Sequence, residues 1–453
     1  MRSWSVFAGM AMLVGGLAGC GGGGGGGGGF ALPIVATTPM TLTVNVNGAA
    51  ATAGTDGLYA AKPGDTIEVV PNQNADWTSA SGTADAVTLR NADISPTRWK
   101  AQIVNTTTAA SNFTVSAKAS ANAALTKSAV FRIAGGDARN AQYRVYATNG
   151  SKQTLALDFD TMSYTMTDDA GTAASDTFAV DSTVANGYLF KSSRITSTVN
   201  TARFRLADNT VVGAFPFAQA GSTTAFAVQP FIASKALVTT QAELAGTYNR
   251  LGINLTATTR DSNIRQVAVT AGGAQVLMCD EVAITAVANC PASSVRTYNV
   301  TPASAPTDWR ITNVANPADT GVFSIARIGG ENVYLSAGAA AIGAPGEVVF
   351  RVGVRQQDAW PSSTAIASDT NGTWGTLNLD ASSYATGFIR PDGSNGTLGL
   401  TVSQIGAPAA LNIRVAPLGG SSGAYFLVQS GKIAAVVGAR GPQGGYMQFG
   451  LID

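Results

Sequence analysis

Cys20, Cys279 and Cys290 are the only thiols in a chain of 453 residues, and no histidine accompanies them. Without imidazole there is no Ser-His-Asp or Cys-His nucleophile system, no His-ligated metal and no imidazole pH switch. Cys279 and Cys290 flank Asp280 to Asn289, in which Val282-Ala283-Ile284 alternates like a strand. An isolated nearby pair with no further soft ligand predicts a disulfide that fixes a hairpin, not a redox or metal centre. Acid-base chemistry would fall to carboxylates, Lys or Tyr. Glu68, Glu243, Glu281, Glu331 and Glu347 are widely separated, and spacing does not bring together the two carboxyls that a glycosidase needs. Asp158, Asp160, Asp168 and Asp169 offer oxygen ligands for calcium but lack the Asp-x-Asp-x-Asp-Gly loop, and read as strand ends and a turn. Trp309, Trp360 and Trp374, with Tyr248, Tyr334 and Tyr384, would stack on sugar rings if they shared an exposed face; in a β fold such aromatics usually belong to the core.

The composition narrows the classes further. Charged residues make up 12 % of the chain against 52 glycines, and the formal net charge is +1. Lys and Arg are scattered, so no basic stripe addresses nucleic acid. No phosphate loop and no metal constellation is visible, and neither a cofactor nor a metal is expected.

Met1-Arg2-Ser3-Trp4 opens the chain with one positive side chain, and an apolar run from Val6 to Leu17 follows that is too short for a permanent membrane helix. This is the pattern of a secretory signal. Its end, Leu17-Ala18-Gly19-Cys20, resembles the bacterial lipobox, which implies cleavage before Cys20 and lipidation of that residue. By the same resemblance, Gly21 in place of Asp favours the outer membrane. Gly21 to Gly29 is an unbroken glycine tract, a tether whose coil spans about 15 to 20 Å r.m.s..

Beyond Thr38 the recurrent signal is period-two alternation between Gly, Pro, Asn and Asp clusters, as in Leu42-Thr43-Val44-Asn45-Val46, Phe113-Thr114-Val115-Ser116-Ala117 and Phe323-Ser324-Ile325-Ala326. The fold class expected is all-β, a sandwich followed by antiparallel sandwich or barrel domains. The continuously apolar Ala424-Tyr425-Phe426-Leu427-Val428 suits a strand buried on both faces, and the best helix candidate is a turn or two near Thr240-Gln241-Ala242-Glu243, with capping-box spacing. Turns are expected at Pro63-Gly64, Gly135-Gly136, Asn149-Gly150, Gly329-Gly330 and Asp392-Gly393, through positive φ at glycine.

The chain divides into a signal over 1–19, a lipidated Cys and tether over 20–37, a β unit over 38–136, a sandwich or barrel region over 137–355, and a C-terminal β region over 356–453. The unit 38–136 resembles the immunoglobulin-like sandwiches of bacterial surface proteins, without the Cys-Trp-Cys core of antibody-type domains. Asn149–Asp158 and Asn371–Asp380 agree at six of ten positions, and Val130-Phe131-Arg132 and Val349-Phe350-Arg351 precede them in the same order. This reads as a duplication relating 356–453 to 137–240, or as chance agreement in a low-complexity chain. Leu244-Ala245-Gly246-Thr247-Tyr248 resembles the entry of a lipocalin-like barrel with Tyr in the Trp position, which implies a calyx for a small apolar ligand. Alternating strands and low charge also suit a transmembrane barrel, but the lipobox-like segment and the end Leu451-Ile452-Asp453, without a terminal aromatic, oppose it.

The expectation is a cell-envelope protein held to the outer membrane by its lipid, with a binding, adhesion or structural role toward a glycan or envelope protein and no catalysis. The alternatives are a lipocalin-like small-ligand binder and a carboxylate-dependent polysaccharide hydrolase.

Overall fold

A computed structural model describes residues 38–453 apart from 84–85, 220–223, 257, 306, 358, 406–410, 420–422 and 440–442; the signal, Cys20 and the glycine tether lie outside the described residues. Almost every regular element is a strand, and the sheets are antiparallel except where Tyr59–Ala61 runs parallel to Thr126–Ile133.

A five-stranded and a four-stranded sheet make up the first unit, between Leu42 and Ile133. Alternation places Ile67, Val69, Trp99 and Ile103 of one sheet and Phe113, Val115, Phe131 and Ile133 of the other in a single core. Trp99 meets Phe113 with ring centroids 5.9 Å apart. At the junction with the next unit, Asp158 pairs with Arg90 at 2.8 Å and Asp160 accepts the backbone N–H of Asp137 at 3.1 Å.

The stretch 137–355 holds two closed barrels of eight strands each, Ala141–Ala147 through Phe226–Ser234 and Gly246–Leu255 through Val348–Arg355. Each is an up-and-down meander closed by pairing its last strand on its first, Arg144 with Ser234 in one and Arg250 with Gly353 in the other. The C-terminal unit follows the same course. Its first and last strands, Ser363–Asp369 and Met447–Ile452, pair, and its sheet is interrupted between Asn395–Thr401 and Ser403–Gln404. Only Val402 separates those two segments, and its buried side chain joins the core. Counted as one bent strand, they give this unit eight strands as well.

The matched segments of the sequence occupy one place in two units. Asn149-Gly150 and Asn371-Gly372 turn the first hairpin of the first and third barrels, with φ of 82° at Gly150 and 75° at Gly372, and each leads into the second strand. Tyr164 then faces Leu157 as Tyr384 faces Leu379. Val130-Phe131-Arg132 and Val349-Phe350-Arg351 lie instead in a sandwich strand and a barrel strand, so the correspondence does not extend to them.

The outer faces of the three barrels share one apolar core. Leu251, Phe350 and Val352 of the second barrel meet Val437 and Phe449 of the third and Val212 and Ile232 of the first. Phe350 and Phe449 stack at 5.4 Å. A buried polar chain crosses the seam between the first two: Tyr146 donates to Ser324 Oγ at 2.6 Å, Ser324 donates to Asp308 at 2.7 Å, and Lys152 pairs with Asp308 at 2.9 Å.

Three local expectations are corrected. Gln241–Leu244 is a single 3-10 turn with no side-chain cap from Thr240, because the chain enters a strand at Gly246 before an α-helix can propagate. Val282-Ala283-Ile284 is loop, with Val282 95 % exposed and no neighbouring strand to pair with. Gly135 and Gly136 do not take positive φ; a β-carbon on Gly135 would overlap the carbonyl of Thr108, so close approach of two backbones demands glycine there.

Candidate functional site

The two closed barrels differ in what fills them. Inside the first, Tyr164, Phe178, Phe190, Phe204, Phe215 and Phe231 are buried and pack ring on ring, with Phe190 and Phe204 centroids 4.5 Å apart. Its lumen is a solid core. The second barrel is packed at one end only. There Tyr248, Val267, Val300, Phe323 and Ile325 form an apolar cluster with Val238 and Leu244, which precede the barrel. The 3-10 turn is tied across that end by the Tyr248 hydroxyl, which donates to the Leu244 carbonyl at 2.9 Å, and by Gln241, which donates to the Val300 carbonyl at 3.2 Å.

Toward the other end the lumen opens into a cavity of about 540 Å³, within the range of small-molecule sites. Every strand of the barrel contributes to its wall. Met278, Tyr298, Ile311 and Tyr334 supply an apolar part, and Tyr334 stacks flat on Phe323 at 4.9 Å. The cavity mouth is bordered by the loops 280–294, 314–319 and 340–347. Three of the five large apolar side chains that stand exposed among the described residues, Val282, Val314 and Ile342, sit on these loops.

The deeper wall is cationic. Arg250 and Arg351 are each 8 % exposed, and the closing strand pair sets Arg250 opposite Gly353 and Arg351 opposite Gly252. The two arginines are therefore diagonal neighbours on the inner face, with backbones about 7 to 8 Å apart. Gly252 makes room for its partner: a β-carbon there would overlap Cδ of Arg351. Arg351 donates to the carbonyls of Ile253 and Phe350 and to Asn254 Oδ1. Arg250 donates to Asn263 Oδ1 at 3.0 Å and lies over the Tyr334 ring at 6.0 Å, while its Nε is buried without a partner.

Neither guanidinium forms an ion pair among the described residues. The carboxylates on the cavity wall are occupied: Asp280 pairs with Arg296, and Asp319 accepts the hydroxyl of Tyr298 at 2.8 Å and Asn313 at 2.9 Å. Burial and the adjacent charge of Arg250 push Arg351 down to about 9, so it keeps its proton at neutral pH. Burial raises the hydroxyls of Tyr298 and Tyr334, which stay neutral beside it.

No family model, curated protein or solved structure matches the chain. Its chemistry is therefore read from its own geometry.

The residues singled out in the sequence are distributed as follows. Cys279 and Cys290 form a disulfide with Cα atoms 5.6 Å apart; Cys279 ends the strand Gln275–Cys279, and the bridge ties down a loop at the cavity mouth. The six aromatics considered for sugar stacking share no exposed face. Trp309, Trp374, Tyr248, Tyr334 and Tyr384 are buried, and Trp360 donates to the Asp380 carbonyl at 2.8 Å. Asp168 accepts backbone N–H groups of the turn at Ala170 and Thr172, and Asp169 pairs with Arg144 at 2.6 Å. No group of three or more metal-ligating side chains occurs among the described residues. Arg250 and Arg351 were not legible as a site. The available signal was an arginine on each of two alternating strands, with a glycine available to face it.

Proposed function

We propose that the chain is a lipid-anchored envelope protein that captures a small molecule in its second barrel and releases it unchanged. The observation that carries this reading is the contrast between a first barrel filled by its own aromatics and a second barrel half hollow, with a cavity of about 540 Å³ walled by all eight strands. The lipobox-like Leu17-Ala18-Gly19-Cys20 and the glycine tract support a tethered body at the outer membrane. A hydrolytic role has less support, because both carboxylates of the cavity wall are held by partners of their own. A calyx for a purely apolar ligand is also less well supported, since the apolar end of the lumen is already packed and the open part is lined by arginine.

Native mass spectrometry of the full-length protein, purified in mild detergent from the producing cells, tests this reading. We expect a non-covalent small-molecule adduct that disappears in Ser336→Trp, which fills the lumen, while circular dichroism shows the fold intact. An adduct that survives the filled barrel, or a product released from a supplied glycan by the wild-type protein, would overturn it.

A further inference from the structure

We infer that the ligand of the second barrel is a small organic oxoanion, its carboxylate or phosphate held between Arg250 and Arg351 and its apolar body against Met278, Tyr298, Ile311 and Tyr334. This rests on the reading of the second barrel as a binding cup and adds the chemistry of what it binds. Burying a guanidinium costs several kcal/mol unless it is paired, and here two are buried side by side with no carboxylate bound to either. The other buried cation among the described residues has its counter-charge built in, Arg205 pairing with Asp453, and the half-buried Lys152 and Arg203 pair with Asp308 at 2.9 Å and Asp181 at 2.8 Å. Glu347, the acid near Arg351 on the loop leading into its strand, is bound to Asn254 and to the backbone of Ala344. The arginine pair thus lacks an anion that the protein does not supply.

Arg351 is fixed by three acceptors, whereas Arg250 keeps Nε unpartnered and buried at the cavity wall. A planar fork with free donors matches the two or three oxygens of a carboxylate or phosphate better than any neutral group. Gly252 leaves the space that Arg351 fills, since a β-carbon there would overlap the arginine side chain opposite it in the closing strand pair. Tyr334, backed by the stacked Phe323, stands with Met278, Tyr298 and Ile311 in an apolar wall suited to a hydrocarbon body.

Isothermal titration of the full-length protein with naphthoate, naphthyl phosphate and the uncharged naphthamide separates the possibilities. We expect one or both anions to bind and naphthamide to bind at least about tenfold more weakly, the value of one charge-assisted hydrogen bond. The stronger of the two anions identifies the head group as carboxylate or phosphate. Arg250→Gln should weaken the anion by about tenfold or more and leave naphthamide unchanged, while raising the melting temperature of the ligand-free protein, because it removes an unpaired buried charge. Arg250→Lys should retain part of the anion preference. If all three probes bind alike and Arg250→Gln changes none of them, the cup stands and the anion inference falls. If Arg250→Gln lowers the melting temperature and leaves anion affinity intact, Arg250 is a structural residue and the inference falls as well. If no probe binds, both the inference and the cup fall.

Discussion

A β-carbon on Gly252 would occupy the place of Cδ of Arg351, the residue opposite it in the closing strand pair of the second barrel. The same added carbon would also press on the carbonyl of Phe350, so the backbone cannot relieve the overlap by a rotamer change alone. Gly252→Ala is expected to cost about 1 to 3 kcal/mol in urea denaturation, the range for overpacking a filled interior, and to abolish anion binding by displacing Arg351. Wild-type stability in this variant would show that the arginine is not seated where the glycine permits it.

The protonation of Arg351 gives a pH dependence with a definite sign. The groups acting on it are Arg250, Tyr334, Glu347 and Asp261, and burial with the charge of Arg250 lowers it to about 9. Anion affinity should hold steady below that value and fall as pH rises through about 9. Because folding lowers this pKa, the charge costs stability when present, and its loss above about 9 should favour the ligand-free fold until the buried tyrosines titrate. Titrations across this range that show no loss of affinity would show that Arg351 keeps its charge throughout it.

Ser324 joins Tyr146 of the first barrel to Asp308 of the second through bonds of 2.6 and 2.7 Å. Ser324→Ala leaves the Tyr146 hydroxyl and one oxygen of Asp308 without this partner, and should lower stability by about 1 to 3 kcal/mol. Calorimetry checks this, and probe affinity should not change, because Ser324 faces the seam. A large loss of affinity would mean that the seam and the cavity are coupled.

The disulfide closes a loop at the mouth of the cup. Replacing Cys279 and Cys290 together by Ser should cost about 2 to 4 kcal/mol through chain entropy, with probe affinity altered by only a few-fold. Loss of all binding in a folded double variant would place the loop itself in the site.

The all-β class and the disulfide were legible because each rests on local signals, alternation between turn residues and an isolated pair of thiols. Barrel closure was not, since it depends on pairing strands as distant as Arg144 with Ser234. The arginine site was hidden for a more specific reason. Along Gly246–Leu255 and Val348–Arg355 the apolar residues Leu251, Ile253, Phe350 and Val352 point out, into a core shared with the other barrels, while Arg250, Asn254 and Arg351 point in. Alternation reveals that a strand has two faces; which face is the lumen is decided by neighbours far away in sequence. The segment at Leu244 to Tyr248 leads from a 3-10 turn into the first strand of a closed barrel.

Lipidation is tested at the mature N-terminus. Mass spectrometry should find a diacylated Cys20, and Cys20→Ala should release the protein from membranes or leave its leader uncleaved. An unmodified cysteine, or cleavage elsewhere, would end the claim of a lipid anchor without touching the cup.

Locating a bound anion decides whether the second barrel is an oxoanion cup. Crystals of the full-length protein grown with bromonaphthoate carry a bromine whose anomalous scattering marks the ligand body. A peak is expected inside the second barrel, against Tyr298 and Tyr334, with the carboxylate between Arg250 and Arg351. A peak confined to another unit, or an empty second barrel at saturating ligand, would contradict this.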